Sequence, residues 1–403
     1  MLSKRSDDGD VFLTGATGLL GLALLARIVE RSDRRVWALV RAGDDDEAAA
    51  RLHASLASDV ADPDAAAEQI RAVAGDLTTP ALGIDPARRD ELAESVTHVL
   101  HSAASVSFAL PLDEARAINV EGTRRVLDFA GLCAARGGGL RRYSHVSTAY
   151  VAGTHRGVFR EQDLDVGQGF HNTYERSKWE AERLVGSWSD RFPVQVLRPS
   201  IVVGEEDGGW TASFNVIYSP LRALATGALP FLPARRSAPV DAVSVSYVAD
   251  AILALSGDEH QDRTYHLTAG DATSTVGELV DLSTAKLEQR RPVLVPPRIY
   301  RRVVHPLALR LTRGSKRRWL ARSHVFFPYF AAQVRFDASR TQSALASARV
   351  RPRPLSSYFE GLLDFAVASE WGKQPVSRQQ ARSAAGCDGE AETTAAARVT
   401  VST

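Results

Sequence analysis

The feature that most constrains this chain lies near its start, where Val11-Phe12-Leu13-Thr14-Gly15-Ala16-Thr17-Gly18-Leu19-Leu20-Gly21 runs a short apolar stretch straight into spaced glycines. The apolar stretch predicts a buried strand, and residues 18–30 repeat apolar side chains at helical spacing. A strand that turns at once into a helix packed against it needs glycine at the bend and at the close helix–strand contact. The N–H groups exposed at such a helix start suit a phosphate. Gly15, Thr17, Gly18, Leu19, Leu20 and Gly21 are therefore expected to form a dinucleotide-binding loop.

Apolar, β-branched runs recur at 11–14, 35–40, 71–75, 97–101, 142–147, 193–197 and 264–267. Helical patterns fall between them, at 18–30, 112–135 and 172–188. That alternation predicts an α/β fold, a doubly wound (Rossmann) parallel sheet with helices on both faces. From Glu205 onward glycine and proline punctuate shorter elements, which points to a smaller C-terminal substrate-binding region. The expected division is a flexible N-terminus at 1–9, an NADP-binding domain at 10–204, and a substrate-binding region at 205–372. The last is expected to interleave with the first domain, because 264–267 looks like a returning strand. Residues 373–403 are poor in large apolar side chains and are expected to be a disordered tail.

Net charge is +1 at pH 7, so no overall field attracts nucleic acid, and no nucleic-acid partner is expected. Cys133 and Cys387 have no metal-ligand or redox spacing, so no metal site is expected and a reducing, cytoplasmic setting fits. The polar start lacks a secretory apolar run, and no apolar stretch is long enough to cross a bilayer.

Several residues at strand ends are placed to meet a cofactor. Arg41 ends the second strand where enzymes that prefer NAD put an acid, and a cation there suits the 2′-phosphate of NADPH. The acids at 44–46 compete with that reading. Asp76 follows the third strand within reach of an adenine amino group. Ser102, Ala103 and Ala104 are small enough to let backbone lie against the cofactor, and Pro199 and Ser200 would line the nicotinamide side. His101 reads as a buried imidazole with its hydrogen bonds met.

Tyr174 and Lys178 stand four apart, on one face of a helix. A nearby ammonium and the charge of a bound nicotinamide favour the phenolate, which is expected to lower the Tyr174 pKa and let it exchange protons. Thr148, at the end of another strand, is the favoured hydroxyl for holding a substrate carbonyl, with Ser147 a capping group.

Together these motifs resemble the extended short-chain dehydrogenase/reductase superfamily, in its fatty acyl-CoA reductase, male-sterility and thioester-reductase branch. The resemblance spans about residues 11–250. It rests on Thr14 to Gly21, on Ala38-Leu39-Val40-Arg41 with Arg51-Leu52, and on Gly75-Asp76-Leu77. The narrower branch rests on His101 to Phe108, Asn119 to Thr123 and His145 to Tyr150. It implies Arg51 as a second phosphate contact, Leu77 in the cofactor site, and Thr148, Tyr174 and Lys178 as catalytic hydroxyl, proton donor and lysine. Asn119 would either support a proton-relay water or be structural. With no carrier or adenylation segment in the chain, a free-standing enzyme is expected.

The implied activity is NADPH-dependent reduction of an acyl thioester, a fatty acyl-CoA or acyl-carrier-protein, to aldehyde or alcohol, an activity of lipid metabolism. One alternative is a dehydrogenase of a steroid-like, flavonoid-like or sugar-nucleotide ketone or secondary alcohol. Another is a non-catalytic nucleotide-binding scaffold. Between Glu288 and Asp337 twelve Arg and Lys residues interleave with large apolar ones and no acid intervenes. That stretch, 290–330, is expected to be a solvated face, a peripheral membrane contact or a docking surface for coenzyme A or an acyl carrier protein.

Overall fold

The computed structural model describes residues 9–387, apart from 61, 137–138, 215, 258–263, 324–326, 328 and 330–332. Expectations for residues 1–8 and 388–403 lie outside the described residues. Seven parallel strands make the central sheet: β1 (Asp10–Thr14), β2 (Val36–Val40), β3 (Ile70–Ala74), β4 (Val96–His101), β5 (Arg142–Val146), β6 (Val194–Pro199) and β7 (Thr264–Leu267). Their order is β7-β6-β5-β4-β1-β2-β3, so the winding direction reverses between β1 and β4. A crevice opens at that reversal, outside the strands' carboxyl ends.

β1 shows why both sheet faces are covered. Val11 and Leu13 enter an apolar cluster with Leu22, Leu25 and Ile28 of the Leu19–Arg31 helix and with Val248 and Ile252 of the Val245–Leu255 helix. Phe12, between them, enters the opposite cluster with Val126 and Phe129 of the Glu121–Ala135 helix and Val185 of the Thr173–Gly186 helix. Successive side chains of a strand face opposite ways, so a central strand buried on both faces is apolar throughout.

The helix expected at 112–135 is two, Leu112–Asn119 and Glu121–Ala135, which meet at Val120 (φ −100°, ψ −58°). Beyond β6 the chain continues as Ile201–Val203, which pairs with Ala242–Ser244, and Gly157–Phe159 pairs with Val334–Phe336. The later part of the chain thus folds onto the carboxyl ends of the sheet and returns into it as β7.

Part of the segment expected as a disordered tail, 373–403, is helical. Arg378–Ala384 is a helix opened by a Ser377/Gln380 capping box. Arg378 is 6% exposed, and its Nε donates to Glu205 at 2.8 Å, with Asp59 3.9 Å away. Burial pushes the Asp59 carboxyl up to about 6, against the pull of Arg378. One buried guanidinium ties this segment down, which low apolar content could not reveal. Arg378→Ala removes the nearer cation from Glu205 and Asp59, leaving only Arg27, 3.7 Å from Glu205, and is expected to lower stability by about 3–5 kcal/mol, read from the denaturant midpoint.

Candidate active site

The glycines of the first turn have different duties. Gly15 sits at φ +77°, and a Cβ there would lie 2.7 Å from Ala103 N. A Cβ on Gly21 would lie 2.1 Å from Gly15 O. Both positions are fixed by backbone that already fills the space. A Cβ on Gly18 would meet only Gly15 O, at 3.4 Å, so this glycine leaves its space to a ligand.

The turn forms one end of a cleft of about 850 Å³ at the strands' carboxyl ends. Every residue expected at the site lines it: the 15–21 loop, Arg41 and Arg51, Asp76 and Leu77, Ser102 to Ala104, Thr148, Tyr174, Lys178, Pro199 and Ser200. Two of the three competing acids are otherwise engaged. Asp44 caps the Asp45–Leu56 helix, and Asp45 accepts Ala74 N at 2.7 Å. Arg51 donates to Arg41 O, which brings two exposed guanidinium groups to one rim. Asp76 accepts both the N–H and the hydroxyl of Thr78; although burial works to raise its carboxyl, these bonds and then Arg41 and Arg125 hold it below the usual range. The glycine turn and the cationic rim fit the phosphates of a dinucleotide.

At the other end Thr148, Tyr174 and Lys178 converge. Thr148 Oγ1 accepts Tyr150 N at 3.2 Å, and the Thr148 hydroxyl acts on the Tyr174 phenol, lowering its pKa. Thr148 is therefore the cap of the Ala149–Ala152 turn, whereas buried Ser147 Oγ has no hydrogen-bond partner among the described residues, reversing the expected capping roles. Lys178 donates to Val146 O at 2.7 Å and approaches His145 Nε2 at 3.2 Å. Burial lowers this ammonium to about 8, opposed by Glu182.

The phenol behaves differently from expectation. Burial pushes Tyr174 up to about 12, Thr148 lowers it and Glu175 raises it again. Desolvation outweighs any help from the lysine, whose N–H groups turn to the backbone. The phenol is consequently protonated at neutral pH, the state a proton donor needs.

His101 bridges Thr14 Oγ1 (2.7 Å) and Thr123 Oγ1 (3.0 Å), and Thr14 Oγ1 also accepts Ala103 N. The imidazole is spent on scaffolding, and burial lowers it to about 3. Asn119 takes the structural course: it accepts Ser105 N and donates to Ser105 O and to Ser177 Oγ, joining the 102–107 loop to the helix of Tyr174.

Sequence reading missed the aromatic wall around Tyr174. Phe108 lies 5.7 Å from its ring and stacks on Tyr329 at 5.3 Å, and Tyr150 meets Tyr329 edge-on at 5.0 Å. The Tyr329 hydroxyl donates to buried Glu175 at 2.7 Å. Tyr329 lies in the basic stretch, with no periodicity to single it out.

The strand order, the glycine turn beneath β1 and the Tyr174/Lys178 helix define an extended short-chain dehydrogenase/reductase. The chain belongs to the male sterility protein family, whose family model matches residues 13–252. It is 36% identical over 250 residues to an isonitrile lipopeptide synthase of Streptomyces coeruleorubidus, covering 61% of this chain and 16% of that protein. It is 30% identical over 298 residues to the aldehyde reductase lnaA of Aspergillus flavus, covering 69% and 28%. Among solved structures, the terminal R domain of the myxalamid PKS-NRPS pathway superposes with a TM-score of 0.78 at 26% identity, covering 92% of this chain and 94% of that one. An archaeal thiolation-reductase di-domain shares the fold, with a TM-score of 0.73 at 22% identity, covering 91% and 76%. The chain spans less than a third of either curated relative.

Gly21→Ala is expected to cost several degrees of Tm or the soluble protein altogether. Gly18→Ala is expected to melt within about 2 °C of wild type, because its methyl meets only Gly15 O, at an ordinary 3.4 Å contact. Thermal melts of both variants check the contrast.

Proposed function

We propose that this chain reduces an acyl thioester to the aldehyde with NADPH. The observation that carries it is the convergence of Thr148, Tyr174 and Lys178 at one end of a cleft that begins at a glycine turn. The similarity to a terminal R domain and to an aldehyde reductase supports the thioester. The 15–21 loop would hold the cofactor's phosphates, Arg41 and Arg51 its 2′-phosphate, Asp76 and Leu77 its adenine end, and Ser102 to Ala104 with Pro199 and Ser200 its nicotinamide side. When bound, the cofactor supplies a hydride.

The chain's own groups manage the oxygen and the charge. Thr148 and Tyr174, which line the same end of the cleft, hold the carbonyl oxygen, and Tyr174 gives it a proton as the carbon is reduced. Lys178, anchored on Val146 O, holds the nicotinamide ribose and keeps positive charge behind the phenol. The hemithioacetal then breaks its C–S bond, its hydroxyl proton passing to the departing sulfur, and thiol and aldehyde leave.

Residues 10–204 serve the cofactor and 205–372 the acyl group. The helical arm from Pro297 to Leu311 exposes Ile299, Val303, Leu307 and Leu311, at 53–75%, among Arg298, Arg301, Arg302 and Arg310. An apolar stripe among arginines fits an anionic partner with an apolar face, and we assign it to an acyl carrier protein. A peripheral membrane contact is the competing use of this surface. Among the described residues no helix is long and apolar enough to cross a membrane.

The test is NADPH oxidation with acyl-CoA thioesters, alongside capture of aldehyde and free thiol. NADPH loss on a hydroxysteroid-type ketone with none on any thioester overturns the reading. Tyr174→Phe is expected to lower kcat by about 10²–10⁴-fold with KM little changed. Lys178 is cationic below about 8 and neutral above it, so kcat/KM should hold through neutral pH and fall as pH rises past that value. Lys178→Arg, whatever its absolute rate, should lose that alkaline limb in a pH–rate profile.

A further inference from the structure

Beside the cofactor cleft lies a second cavity of about 590 Å³. The two share Tyr150, Ile201, Val216 and Tyr329 as a common wall, so the cavity opens next to Tyr174. Ile217, Val240, Val334 and Phe336 give it apolar sides. Its fixed charges are nevertheless acidic: Asp241, Asp271 and Asp337 against Arg335 alone, three negative and one positive.

Asp241 stands just before the Ala242–Ser244 strand, whose partner Ile201–Val203 leads out of β6. Its Oδ1 accepts Ala269 N at 2.8 Å. Ser274 pairs with Val240, one residue before Asp241, and both Ser274 and Asp241 line the cavity. Ser274 is 3% exposed, and its Oγ has no hydrogen-bond partner among the described residues. A buried hydroxyl without a partner is costly, and so is a buried carboxylate whose hydrogen bonds bring it no compensating charge. Burial raises the Asp241 carboxyl, opposed by Ala269 N and Ser200, and no cation is among the groups acting on it. An ammonium brings positive charge and three N–H donors, which both oxygens can accept. The same acidic lining repels the phosphates of a carrier arm, so it sorts the two ends of a thioester substrate.

We propose that this cavity receives the acyl group and selects acyl groups that end in a protonated amine, held by Asp241 and Ser274. The assignment rests on the thioester-reductase reading above.

The test compares ω-aminohexanoyl-CoA with heptanoyl-CoA, which differ by an ammonium in place of a methyl. Wild type should prefer the amine by roughly tenfold or more in kcat/KM at neutral pH. Asp241→Asn keeps an acceptor for Ala269 N but removes the charge, and should bring the ratio of the two substrates close to one. Ser274→Ala, which breaks no hydrogen bond within the protein, should narrow it. A purely structural role for Asp241 would lower both substrates together and leave their ratio intact. Calorimetric binding of the same two thioesters reads the preference without turnover, so failure of the reaction assignment is distinguishable from failure of this one. Equal Kd values in wild type, or a preference that survives Asp241→Asn, overturn the proposal.

Discussion

Three charged side chains on one helix face leave water completely, and the site depends on how each is answered. Glu175, Lys178 and Glu182 fall at three- and four-residue spacing on Thr173–Gly186, and all are buried. An unmatched charge in such surroundings would be costly. Glu175 is met by His171 N and the Tyr329 hydroxyl, Lys178 by Val146 O, and Glu182 by both Nε and Nη2 of Arg198. Arg198 also reaches the carbonyls of Glu161 and Asp163, so the helix is clamped to β6 and to the loop before it. With three anchors along its length the helix has one docked position, and Tyr174 takes its place beside Thr148 as a result.

That constraint marks the boundary of what the sequence discloses. The seven strands were legible because short runs rich in apolar and β-branched side chains mark a sheet covered on both faces, even where buried polar groups interrupt them as in Arg142–Val146, and the site residues followed from where those strands end. Glu175 and Glu182 look like solvent-side residues of an amphipathic helix, and only Tyr329 and Arg198, 154 and 16 residues away, make them interior. The Tyr174 pKa was misjudged for a related reason. The four-residue spacing places an ammonium nearby, but nothing in the spacing tells that its N–H groups turn to Val146 O or that burial dominates. The tail was misjudged because composition measures apolar area and is blind to a single buried ion pair.

Charge is also partitioned over the molecule. Cations gather on the cofactor rim at Arg41 and Arg51 and along the arm from Arg298 to Arg310, while carboxylates gather in the side cavity at Asp241, Asp271 and Asp337. A near-neutral total hides this separation. A substrate with an anionic handle at one end meets attraction outside and repulsion within, so its orientation is set before any close contact forms.

The return of β7 has a consequence for how the molecule is made. β6 gains its outer neighbour only when residues 264–267 are available, more than sixty positions after it leaves the sheet. A nascent chain that has emerged only as far as Pro199 carries six of the seven strands yet exposes a raw edge. Productive assembly must therefore wait on a contact distant in sequence, and in that interval the growing polypeptide is most open to mispairing with other chains.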